Sequence, residues 1–209
     1  MGYFPFFMEL EGRLGLIVGG GTVALRKAEK LLPFGPRLTV TAPELSPDLR
    51  TLPGLTLVER AFQPSDLDEA LFAVAASDDR VLNHWVAALC RERGILVNVV
   101  DDREACTFLF PALVRQGSLT VGISTGGASP AAAVWLKERI SCLLPRRLEE
   151  ILAWLESLRP LLKGRVPEER RAALFAGLLS ACLEAGGPLE PQELEEFLGE
   201  EGVSWGPSV

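Results

Sequence analysis

Gly19-Gly20-Gly21-Thr22-Val23-Ala24 is the first stretch whose residue types and spacing carry chemistry. It fits G-x-G-x-x-A, in which Gly19 permits a tight turn and Gly21 lets a pyrophosphate approach the backbone. Ala24 then allows a helix to pack closely on a strand. A helix opening there offers free N–H groups and its positive dipole end to phosphate oxygens. The alternative is a glycine turn with no ligand, but an apolar strand before it and a helix after it favour dinucleotide binding. The ribose carboxylate of such sites lies about 20 residues on, at the end of the second strand. Here that end is Thr41-Ala42-Pro43, and the nearest acid is Glu44, slightly late. No base follows before Arg50, so NAD is expected rather than NADP.

Three further groups are candidates. Asp101 closes an apolar strand at the carboxyl end, the rim where open α/β sheets bind ligands, and a carboxylate beside a nicotinamide would serve as general base or substrate orienter. No regular helix follows it closely, so capping explains it poorly. Asp78 and Asp79 sit at the same rim, where capping a helix is the better account. Ser124-Thr125-Gly126-Gly127-Ala128-Ser129-Pro130 is a second glycine turn feeding a helix. Its hydroxyls and N–H groups suit a carboxylate or phosphate, and capping by Ser129 is an equal claim on it. His84 is the only histidine, and Cys90, Cys106, Cys142 and Cys182 are far apart, so no metal site is expected.

The elements that must hold these groups follow from hydrophobic period. Leu14 to Val18, Leu38 to Ala42, Leu55 to Val58, Leu71 to Ala76 and Ile95 to Val100 read as five strands. A helix with Ala24, Ala28, Leu31 and Leu32 on one face follows the first. Ser46-Pro47 opens a short helical turn, and Ser65 caps a brief helix through Ala70. A longer helix begins at Asp79, with Val81, Leu82, Trp85, Val86 and Leu89 on one face. Short connections between alternating strands and helices predict a parallel sheet covered on both faces. The pattern then changes to two strands, Phe108 to Val114 and Leu119 to Ser124, and a helix from Ser129-Pro130 to about Leu143. Beyond Pro145 everything reads as helix. Leu148, Ile151, Leu152, Leu155, Leu158 and Leu162 form one stripe, and Leu174, Phe175, Leu178, Leu179, Cys182 and Leu183 another. Pro167 and Pro191 stand where helices begin, and Gly199 to Val209 reads as a frayed tail. The expected class is α/β: a parallel-sheet domain over 1–112, a small α+β unit over 113–145, and a helical domain over 146–209. The middle piece is too small to hold a core alone, so a partner subunit is expected to complete it.

Composition narrows the function classes. With 48% apolar and 23% charged residues the chain is neither disordered nor a disulfide scaffold. Its net charge of −7 comes from the end: Glu184, Glu190, Glu193, Glu195, Glu196, Glu200 and Glu201 stand there without a Lys or Arg. The rest is balanced, which argues against a nucleic-acid partner. No apolar run approaches the roughly 20 residues of a membrane span, and Glu9 interrupts any leader core, so a cytoplasmic protein is expected.

The run from Phe4-Pro5 through Leu16-Ile17-Val18-Gly19-Gly20-Gly21-Thr22-Val23-Ala24 to Arg26-Lys27-Ala28 resembles the precorrin-2 dehydrogenase family of sirohaem synthesis, whose members include sirohydrochlorin ferrochelatases. Thr39-Val40-Thr41-Ala42-Pro43, Ala75-Ala76-Ser77-Asp78-Asp79, Asn98-Val99-Val100-Asp101 and Ser124 to Pro130 resemble it too, in the family's order. The resemblance covers about the first 145 residues; the C-terminal helices match only in general character. It implies a Rossmann-type sheet, NAD-dependent oxidation of precorrin-2, a tetrapyrrole, to sirohydrochlorin, and a homodimer joined through the middle piece. It places Thr22, Val23, Pro43 and Glu44 at NAD, with Gly19 and Gly21 under the pyrophosphate, and makes Asp101 the important aspartate. Ser124, Thr125 and Gly126 are then substrate-binding. Thr125 stands where some fused relatives carry a phosphorylated serine. The methyltransferase fused in some members is not expected within 209 residues.

The substrate carries eight carboxylates, and Arg115, Lys137, Arg139, Arg146 and Arg147 are local cations that suit it. Two alternatives stay open: a bifunctional enzyme that also inserts iron, and a non-catalytic NAD-sensing module on the same fold.

Overall fold

Five parallel strands centre the first part of the chain: β1 (Leu14–Val18), β2 (Arg37–Ala42), β3 (Leu55–Glu59), β4 (Phe72–Ala75) and β5 (Leu96–Val99). They lie in the order β3-β2-β1-β4-β5, with Val18 level with Thr41 on one side and Ala75 on the other. The order reverses between β1 and β4, so a crevice opens at their carboxyl ends. The computed structural model describes residues 4–203, in two compact units, 4–110 and 111–203.

Alternate side chains of the sheet feed two apolar layers, as a period of two requires. Ile17, Val40 and Val74 face α1 (Thr22–Leu31), which buries Ala24, Ala28 and Leu31 against them. Leu16, Val18, Ala73, Ala75, Val97 and Val99 pack with Val86, Ala87 and Cys90 of α3 (Arg80–Glu92). Between them, α2 (Pro47–Thr51) is one short turn capped by Ser46, whose hydroxyl accepts from Leu49 N.

The strands fall within a residue or two of their expected limits. Three readings of this unit are corrected. The buried face of α3 is Asn83, Val86, Ala87 and Cys90, whereas Val81 is 79% exposed and Trp85 45%. Asn83 is drawn in because its amide accepts from Ser77 N (3.1 Å) and donates to Ser77 O (2.8 Å). Trp85 packs edge-on against Phe62 at 5.3 Å instead. The turn expected from Ser65 is a 3₁₀ turn over Pro64–Leu67, begun at Gln63. Its Asp66 carboxylate accepts from Gln63 N and is held by Arg60, which lowers the acid's pKa. Finally, residues 106–110 do not belong to the sixth strand. Thr107 N donates to Val97 O at 2.8 Å, and Phe108 and Phe110 join the α1-side core, so this segment covers the edge of β5.

The second unit contains an antiparallel hairpin, β6 (Ala112–Gln116) and β7 (Leu119–Ile123), then α4 (Pro130–Leu143), α5 (Leu148–Lys163), α6 (Glu168–Ala185) and α7 (Pro191–Glu200). Ser129 caps α4 by accepting from Ala132 N, with Pro130 at the first helical position. The last three helices make their own core from Ile151, Leu155, Leu158, Leu162, Leu174, Leu178, Cys182, Leu194 and Leu198. The expected tail is corrected as far as residue 203. The α7 helix runs through Gly199 to Glu200, and Val203 is buried with its N–H on Leu198 O at 2.8 Å. Residues 204–209 of that expectation lie outside the described residues.

Candidate functional site

At the end of β1 the chain turns on Gly19, whose φ of 137° excludes other L-residues. A Cβ there would run into the Ala76 carbonyl beyond β4, so the glycine lets the two strand ends close on one another. Gly20 is pinned differently. Its carbonyl accepts from Ser46 N at 2.8 Å, and a Cβ would strike the Glu44 carbonyl. The loop after β2 is thereby tied to the glycine turn, and Pro43 and Glu44 stand exposed beside it. Glu44 thus reaches the turn although it comes late in sequence.

Gly21 starts α1 with no side-chain cap, no acid in the first turn, and open space where a Cβ would be. The first N–H groups of α1 consequently lack an internal partner, with Thr22 and Val23 exposed around them. An anionic pyrophosphate supplies what this helix start lacks, so the residues present fit a dinucleotide. Arg50, the first base after β2, is engaged in an ion pair with Glu59.

Asp101 follows β5 at the same carboxyl rim. It is exposed and left-handed, with φ of 58°, one of two non-glycine residues with positive φ among those described. Aspartate tolerates this region better than most residues, and such outliers gather at functional sites. The turn around it is over-determined. Val100 N donates to Ala75 O at 3.0 Å, and the single Cys106 S–H lies within donating reach of the carbonyls of Asp102 (3.1 Å) and Val99 (3.3 Å). Val99 N and the Asn98 amide donate to the Cys106 sulfur in return. Burial raises the pKa of that thiol, so it stays protonated near neutrality.

Sequence reasoning missed the other side of this cluster. Lys27 of α1 donates from Nζ to Asn98 Oδ1 at 3.3 Å and lies 3.8 Å over the Phe110 ring. Asn98 is buried, and its amide also donates to Phe108 O at 3.0 Å. Desolvation, then the charge of Lys30, lowers the Lys27 pKa to about 8; Cys106 and Asp101 act the other way. A signal was available: Lys27 lies three residues after Ala24 and one before Ala28, on the inner face of α1.

Other candidates have simpler roles. Asp79 caps α3 by accepting from Val81 N and Leu82 N. Asp102 holds its own turn by accepting from Ala105 N and pairs with the exposed His84 at 3.1 Å. Among the described residues no group of three His, Cys, Asp or Glu side chains is arranged to hold a metal ion.

Ser124, Thr125 and Gly126 lie in the second unit, between β7 and α4. The Thr125 hydroxyl spends its proton inside the turn, accepting from Ser129 N (3.1 Å) and donating to Ser129 O (3.0 Å). Ser124 Oγ accepts from Gly126 N at 3.2 Å but keeps its own proton to donate into solvent. Of the basic residues, Arg147 pairs with Glu150, and Arg139 lies over the Trp135 ring.

A parallel sheet with a glycine turn at its switch point and an uncapped helix behind it defines a dinucleotide-binding α/β protein. The chain belongs to the putative NAD(P)-binding family, which matches residues 6–112. A second family, described as sirohaem biosynthesis protein central, matches residues 116–141. A siroheme synthase of Thioalkalivibrio sulfidiphilus is 41% identical over 183 residues, which cover 86% of this chain and 37% of that protein. One from Pseudomonas aeruginosa is 37% identical over 204 residues, covering 94% of this chain and 44% of the relative. The chain thus spans about two fifths of the length of these curated relatives. A solved structure titled SirC, precorrin-2 dehydrogenase superposes with a TM-score of 0.68 at 27% identity, covering 95% of this chain and 98% of that one. These matches bear out the resemblance seen in the motifs.

Proposed function

We propose that this chain is an NAD-dependent precorrin-2 dehydrogenase that acts as a homodimer. The observation that carries the reading is the likeness to a solved precorrin-2 dehydrogenase along nearly the whole of both chains. The site chemistry supports it.

Bound NAD supplies the hydride acceptor. The N–H groups at the start of α1, with Gly19, Gly21, Thr22 and Val23, would hold its pyrophosphate, and Pro43 and Glu44 would serve its adenosine ribose. With Arg50 committed to Glu59, a 2′-phosphate meets carboxylate rather than cation there, so NAD is preferred to NADP. Oxidation removes one hydride and one proton from the macrocycle and leaves a new double bond. Asp101 is the group placed to accept that proton, and its left-handed turn keeps the carboxylate out in solvent. Ser124 and the backbone of the 124–126 turn hold substrate carboxylates, and Thr125 braces the turn. A non-catalytic sensor would have no use for a strained acid at the rim of β5.

The dimer rests on α4. Of its fourteen residues only Ala133 is buried, while Val134, Trp135, Leu136 and Leu143 are 38% to 80% exposed. An apolar helix of that kind needs a partner surface, and a second copy supplies it. A cytoplasmic setting belongs to the same reading, because four free thiols suit a reducing compartment.

The test is anaerobic incubation of the protein with precorrin-2 and NAD. NADH and sirohydrochlorin should appear in equal amounts. NAD binding without turnover would replace the enzyme by the sensor, and sedimentation as a stable monomer at micromolar concentration would remove the dimer.

A further inference from the structure

We propose that Lys27 is a positioning residue for Asp101: through Asn98 it braces the turn that presents the carboxylate, and its charge offsets that carboxylate when a polyanionic substrate docks. The inference rests on the reading of the chain as a precorrin-2 dehydrogenase.

Three observations carry it. The first is the unbroken chain of contacts from Lys27 Nζ to Asn98, from Asn98 to Cys106 Sγ and Phe108 O, and from Cys106 to the carbonyls of Val99 and Asp102 on either side of Asp101. The second is that the ammonium lies against the face of the Phe110 ring, an apolar and cation-attracting surface, rather than in open solvent. A lysine that served only solubility would extend outward. The third is composition. The groups that act electrostatically on Lys27 are Lys30 on its own helix, and Cys106 and Asp101 from the segment packed against it. Since the thiol is protonated near neutrality, Asp101 is the one anion of that set.

Asp101 alone would repel a macrocycle bearing eight carboxylates. A fixed cation nearby cancels that repulsion without contacting the substrate. Losing that cation should raise KM by roughly tenfold. Lys27 is also an amine that loses its proton at about pH 8. The offset is therefore lost as pH rises through about 8.

The experiment compares the full chain with Lys27→Met and Lys27→Arg. Methionine keeps length and apolar bulk while removing charge; arginine keeps charge and does not titrate. The wild type should lose kcat/KM as pH rises through about 8, through KM, and level off near the Lys27→Met value. Lys27→Met should show a raised KM at pH 7 and no alkaline limb of this origin. Lys27→Arg should restore a low KM and carry it unchanged through pH 9. In parallel, the chemical shift of ¹³Cε-labelled Lys27 in the free protein should titrate near pH 8. An ordinary lysine titration near 10.5, or an active Lys27→Met whose KM and pH profile match wild type, overturns the proposal. If the wild type does not turn precorrin-2 over at all, the functional reading fails instead, and the label titration still judges Lys27.

Discussion

Replacing Asp101 separates chemistry from backbone strain, because the residue is left-handed. With φ at 58°, an alanine there would carry the left-handed penalty of roughly 1–2 kcal/mol, while asparagine accepts the region about as readily as aspartate. Glycine accepts it with no Cβ penalty. Asp101→Asn should therefore unfold within about 0.5 kcal/mol of wild type, and Asp101→Ala should be weaker by roughly 1 kcal/mol in urea titration. Activity should rank differently. Asp101→Asn, Asp101→Ala and Asp101→Gly all lose the base, so kcat should fall by roughly 10²- to 10⁴-fold in each. NAD affinity should barely change, since β4 separates β5 from the glycine turn after β1. The assay is steady-state NADH formation with precorrin-2, beside fluorescence titration of NAD. A loss confined to KM would make Asp101 an orienter of substrate. Near-normal kcat in a folded Asp101→Asn would refute the base assignment outright.

Four other outcomes are expected. Gly20→Ala, whose methyl would meet the Glu44 carbonyl, should cost about 1–3 kcal/mol of stability and most NAD affinity, read by calorimetry and fluorescence; unchanged NAD binding would detach the 43–46 loop from the site. Steady-state rates should favour NAD over NADP, and equal rates would show that the Arg50–Glu59 pair does not govern the choice. Folded Lys27 releases its proton at about pH 8 and the unfolded chain holds it to about 10.5, so between those values the unfolded state binds more protons. Its contribution to stability should rise from pH 8 to 10, and wild type should gain on Lys27→Met over that window; parallel urea midpoints would contradict this. The Cys90 thiol, pushed up to about 11 by burial, should resist alkylation at pH 8 until the protein unfolds, as mass spectrometry of labelled peptides would show.

What the sequence disclosed, and what it hid, follow from one physical distinction. Ile17, Val40 and Val74, or Ala24 and Ala28, are buried because they are apolar, so period alone finds them. Gly19 and the Ser129-Pro130 start of α4 are legible for a related reason, since each residue type suits its local backbone. Asn83, Asn98 and Lys27 are sheltered for the opposite reason: a hydrogen-bond partner outside the residue's own helix or strand satisfies a polar group. Lys27 meets Asn98 seventy-one residues later, and no local pattern reports that. The same blindness placed the sixth strand too early, because Phe108 and Phe110 look like strand residues and are claimed by the α1-side core. Nor does any spacing announce that Asp101 is left-handed. The three sheltered polar residues nonetheless each left a mark by interrupting an apolar stripe: Lys27 between Ala24 and Ala28, Asn83 beside Leu82, Asn98 between Val97 and Val99. A stripe tolerates such an interruption only when the fold supplies its hydrogen bonds, and that cost is met where orientation matters more than hydrophobic gain. Two of the three lie in the network behind Asp101, and the third ties α3 to the loop after β4, beside the glycine turn. The breaks in the apolar pattern therefore outline the site more closely than the pattern itself does.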